Sequence, residues 1–181
     1  MKFNLDKKQL FGIFSAVVVV AVIVAYNFLG SDKPVTRYTF QGTELSFRDD
    51  LRLAKNVSVF PSEEAILYTI WNPNIQNITI AYMNSTDNQF TAVNAFEVAF
   101  KLNVAYGQFS WFVNFVGKEV ESFDNLNASD ENMVIVLVPP SLADDTAVEL
   151  DRNVVYIKGK TQQEFDLATM KFIMAALNIT V

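Results

Sequence analysis

The sequence predicts an α/β domain, a mixed sheet with helices on one or both faces, preceded by one transmembrane helix. Three observations carry this. No charged residue occurs from Gln9 to Ser31. Beyond Pro34, short β-rich runs alternate with stretches of helical periodicity, and strands cluster late. Met133-Val-Ile-Val-Leu-Val138 is an unbroken apolar run closed by Pro139-Pro140, the pattern of a strand covered on both faces.

Residues 1–9 read as a cytoplasmic tail carrying Lys2, Lys7 and Lys8 against Asp6. Residues 10–29 read as the membrane span. About 20 apolar residues cross the hydrocarbon core, and lipid leaves the backbone little alternative to helix. The run is longer than a signal-peptide core, and no small-x-small cleavage site follows it. Residues 30–34, Gly-Ser-Asp-Lys-Pro, read as a tether, and 35–181 as the extracytoplasmic domain.

Within that domain, Thr36–Phe40 and Thr43–Phe47 flank Gln41-Gly42, the signature of a hairpin. Asn56–Phe60 reads as a short strand. Pro61-Ser62-Glu63-Glu64 then supplies a capping serine and first-turn acids for a helix that Asn72-Pro73 ends. Asn77–Met83 reads as a strand, and Gln89–Tyr106 as a long helix. Its polar stripe is Asn94, Glu97 and Lys101, and its apolar face is Phe90, Val93, Phe96, Phe100 and Val104. Phe109–Val116 reads as a strand with Phe109, Trp111, Val113 and Phe115 on one face. Thr146–Leu150 and Asn153–Lys158 read as a second hairpin about Asp151-Arg152. Thr161 and Glu164 have capping-box spacing at the start of a final, mostly apolar helix.

The chain has no histidine and no cysteine. Ser-His-Asp and Cys-His nucleophile systems are therefore excluded, as are metal centres held by those two residues. No cofactor is expected. From Pro34 onward, 10 Lys/Arg stand against 18 Asp/Glu, a net charge of −8 that repels phosphate backbones and excludes nucleic acid as a partner.

Asn-x-Ser/Thr sequons occur at Asn56, Asn77, Asn84, Asn127 and Asn178, all beyond the span, which suits an outward-facing glycan-bearing surface. Asn84 and Asn127, in polar turns, are the expected carriers. Gly159-Lys160-Thr161 resembles the end of a phosphate-binding loop, but Val154 stands where its first glycine belongs. What remains there is a weak anion site of Lys158, Lys160 and Thr161 at a helix N-terminus. Asp145-Thr146-Ala147 is half of an aspartic-protease signature without its glycine. The acidic pairs Asp49-Asp50, Glu63-Glu64 and Asp130-Glu131 read as solvated charge.

The runs Phe47-Arg-Asp-Asp-Leu51, Val59-Phe-Pro-Ser-Glu-Glu64 and Val154 to Ala168 resemble uncharacterised single-pass membrane proteins of archaea. The resemblance implies the same topology and assigns no activity or site residue. Taken together, the sequence leads to a non-enzymatic binding or scaffolding module of a cell-envelope complex. It is held in the cell membrane through residues 10–29 and works with an unidentified envelope protein. An envelope enzyme using carboxylate or Ser-Lys chemistry, and a pilin-like filament subunit, are the alternatives.

Overall fold

Gln41 and Gly42 both take positive φ, 46° and 84°, as a tight two-residue turn requires. They join β1 (Thr36–Phe40) to β2 (Thr43–Phe47) in a separate two-stranded antiparallel sheet. This computed structural model describes residues 36–124 and 126–181. The chain divides into two units after Pro34. The tail, membrane span and tether expected over residues 1–34 lie outside the described residues. Among the described residues no helix is long and apolar enough to cross a membrane.

After a 3-10 turn at Leu51–Asn56 come β3 (Ser58–Phe60), α1 (Glu63–Ile70), β4 (Asn77–Tyr82) and α2 (Asn88–Gln108). They are followed by β5 (Asn114–Glu119), β6 (Asn132–Val138), β7 (Ala147–Asp151), β8 (Val154–Lys158) and α3 (Gln162–Ala176). The main sheet has six strands in the order β3-β7-β8-β6-β4-β5. β5, β4, β6 and β8 are mutually parallel, and β7 runs antiparallel to β8 in a hairpin. The fold is therefore mixed α/β. The helices cover one face only: Ile78, Ile80, Met133, Ile135, Leu137, Val155 and Ile157 join them in one large cluster. On the other face Ala81, Val134, Val136 and Val138 are covered by loop residues such as Phe123, Leu126 and Ala143. β6 is thus buried on both faces, as its composition requires.

The helix caps follow the local sequence. Ser62 Oγ accepts from Ala65 N–H at 3.1 Å, and Thr161 Oγ1 from Glu164 N–H at 3.2 Å.

Two expectations fail. The run Phe109–Val116 is not a strand. α2 continues to Gln108, Trp111 N–H bonds back to the Tyr106 carbonyl, and Ser110 turns the chain with φ 57°. The strand begins only at Asn114. The long helix is also turned inside out relative to its polar stripe: Asn94 and Lys101 are each 2% exposed, whereas Phe100 is 50% exposed. The reason is mutual pairing. The polar stripe meets Arg48, just past β2, and Asp166 of α3, while Phe96 and Phe100 stack on each other, centroids 5.7 Å apart.

Candidate functional site

Three places among the described residues gather chemistry-bearing side chains. The first is the carboxyl end of the parallel strands. β4 and β6 are neighbours, and the chain leaves them in opposite directions, through α2 to β5 and toward β7 and β8. Open α/β sheets bind ligands at such a switch point. Here the crevice is crossed by a hydrogen bond: Ser141 N–H donates to Asp87 Oδ2 at 2.8 Å, joining the start of α2 to the loop after β6.

Beside it stand the residues of the expected anion site. Lys158 is committed to Glu149 at 2.6 Å and Asp145 at 3.6 Å, and these carboxylates hold its ammonium above the ordinary lysine range against the opposing effect of burial. Lys160 is exposed, its N–H held by Thr146 Oγ1 at 3.2 Å. Thr161 uses its hydroxyl as the α3 cap. Gly159 serves packing: a Cβ there would stand 2.3 Å from the Phe165 backbone. The three anion-site residues are neighbours; the Lys158 ammonium and the Thr161 hydroxyl are engaged within the fold, and Lys160 contributes its backbone N–H.

The second place is a buried polar knot between β2, α2 and α3. Lys101 pairs with Glu97 one turn earlier, and its ammonium lies 4.7 Å from the centre of the Phe47 ring. Arg48 reaches the same carboxylate at 3.7 Å. Asn94 donates to Asp166 Oδ1 at 2.9 Å and to the Phe90 carbonyl at 3.0 Å. Burial, helped by the Arg48 charge, pushes Lys101 down to about 7. The recess among these side chains holds about 20 Å³, room for one water and no substrate. Among the described residues no group of three or more acidic side chains is placed to hold a metal ion.

The third place is an aromatic ledge at the amino end of β5. Trp71, Tyr106, Phe109 and Trp111 pack together, with Trp71 5.1 Å from Phe109 and 5.8 Å from Trp111. Trp71 Nε1 donates to the Ala176 carbonyl at 2.7 Å, and the Tyr106 hydroxyl to the Ile70 carbonyl. Burial raises the Tyr106 phenol well above its usual range, so it stays a donor. From this fixed root Phe112 projects 96% exposed. A groove of about 480 Å³ runs beside it, lined by Asn103, Gly107, Ser110 and Asn114 among others.

Among the described residues β5 is an outer strand with β4 as its one partner in the sheet. Asn114 N–H bonds to the Gln76 carbonyl and Val120 N–H to the Tyr82 carbonyl, both at 2.9 Å. Backbone direction alternates along a strand, so the N–H and C=O groups of Phe115, Gly117 and Glu119 point away from β4. The opposite edge is blunted: β3 is three residues long and runs into Pro61.

Of the sequons, Asn56, Asn84, Asn127 and Asn178 are exposed. Asn77 is half-buried in β4, its side chain bonded to Asn114. Asn178 sits just past α3 with φ 53° and faces solvent. The ledge and the open edge are hidden in the sequence by the β-like alternation of Phe109–Val116, which suggests one strand. Ser110, a turn former inside that stretch and the residue that takes positive φ, is the sequence signal for a break.

No family model matches this chain, and no curated protein or solved structure does so either.

Proposed function

We propose that this chain is a membrane-tethered extracytoplasmic domain that binds a protein partner and scaffolds a cell-envelope complex, without chemistry of its own. The observation that carries the reading is the ledge. A hydrogen-bonded turn holds Phe112 out at 96% exposure beside a strand edge with outward backbone groups. A large aromatic displayed on a rigid root, with uncharged groove residues around it, has the composition of an interface core. The whole-chain lack of histidine and cysteine supports the same reading, since it removes the commonest nucleophile systems.

The membrane placement rests on the apolar run over residues 10–29, and the outward orientation on the sequons. The experiment is photocrosslinking from a benzoylphenylalanine placed at Phe112 of the full chain in the cells that make it. A discrete protein adduct is expected. No protein adduct from Phe112 under conditions that label a control position would overturn the reading.

A further inference from the structure

We infer that the open edge of β5 is completed by β5 of a second copy of this chain, paired antiparallel about Gly117. The inference rests on the binding-module reading above and names the partner.

The outward residues are Phe115, Gly117 and Glu119, spaced evenly about Gly117. A two-fold axis through Gly117 sets Phe115 opposite Glu119 of the second copy and Gly117 opposite Gly117 of the second copy. Each outward donor then meets an outward acceptor. No other symmetric register engages all three residues.

Gly117 itself points the same way. A glycine inside a strand weakens it and often marks the close approach of another backbone. A Cβ built at Gly117 meets nothing within 4 Å, so the fold of its own chain does not require the missing side chain.

The side chains fit the register. Val116, 44% exposed, lies opposite Lys118 of the second copy, whose aliphatic stem can cover it. Continued outward, the register sets Phe112 against the stretch that follows β5 in the second copy. Charge also permits the contact: Lys118 and Glu119 make β5 neutral, in a domain that is otherwise strongly acidic. The pairing closes on itself. With β3 blunted by Pro61, the main sheet has one usable edge among the described residues, so assembly of that sheet stops at two.

The native chain is free of cysteine, so a single engineered thiol reports without background. Across a hydrogen-bonded antiparallel pair the Cα atoms lie about 5.5 Å apart, within disulfide reach. In the full chain, Gly117→Cys is expected to convert almost entirely to a covalent dimer under mild oxidation, while Lys160→Cys on the exposed surface does not. Gly117→Pro removes only an outward N–H and leaves the β4 ladder intact, so it is expected to keep its circular dichroism and lose the dimer. Gly117→Cys remaining monomeric, or Gly117→Pro remaining dimeric with a native spectrum, would overturn the inference. If Gly117→Cys stays monomeric while Phe112 still crosslinks to a different protein, the dimer falls and the binding-module reading stands. If Phe112 yields no protein adduct at all, both fall.

Discussion

Gly159 and Phe165 approach so closely that a methyl group at residue 159 would lie 2.3 Å from both the Phe165 amide nitrogen and its α-carbon. The neighbour is helix backbone, anchored by a fully buried Phe165 ring, and it cannot swing aside. Gly159→Ala must therefore pull α3 off the end of β8. We expect a loss of about 3 kcal/mol or more. Gly107→Ala, where a Cβ meets nothing within 4 Å and the residue lies in α2, is expected to be neutral or slightly stabilising. Urea unfolding of the two variants, compared with wild type, checks the contrast. Equal midpoints would refute it.

Lys101 gives the domain a pH dependence. Unfolded, a lysine keeps its proton to about 10.4. Folded, this one releases it near 7, chiefly because burial disfavours the ammonium. Between those values the unfolded chain binds one more proton, so the stability contributed by this group grows as pH rises from about 7 and is smallest below it. Lys101→Met should remove that slope at little cost, since Glu97 keeps Arg48. Glu97→Gln should cost about 3 kcal/mol at pH 6, where the buried Lys101 and the half-buried Arg48 lose their shared carboxylate. Unfolding midpoints measured across this pH range decide it, and a wild-type slope matching that of Lys101→Met would sink the assignment.

The domain should hold itself together without covalent or metallic help. A fragment of residues 35–181 has one large core and lies in the size range where such a core suffices. We expect cooperative thermal unfolding unchanged by reductant or EDTA. A molten fragment would mean that residues before 35 complete the core. A melting shift on EDTA alone would reveal a cation held by oxygen ligands.

Topology is tested on intact cells. External protease should remove the domain and spare the N-terminal tail, and in a host that modifies sequons Asn84 or Asn127 should carry glycan. A C-terminal tag protected from protease would overturn the membrane orientation.

What the sequence by itself determined is local. The Gln41-Gly42 turn, the Ser62 and Thr161 caps and the all-apolar β6 each depend on residues within a few positions of one another. Backbone sterics and orphan amides act at that range. Tertiary structure alone decided which side of α2 faces inward. Glu97 and Lys101 were legible as a helical pair, but the partners of the stripe come from far along the chain: Arg48, just past β2, meets Glu97, and Asp166 of α3 meets Asn94. It also decided that Gly159 serves packing, because the atoms that forbid a side chain there belong to a helix that has not yet begun. The free edge of β5 is likewise a consequence of strand order, which no local pattern encodes: hydrogen bonds between strands join residues far apart in the chain, and only the assembled sheet leaves Phe115, Gly117 and Glu119 facing outward.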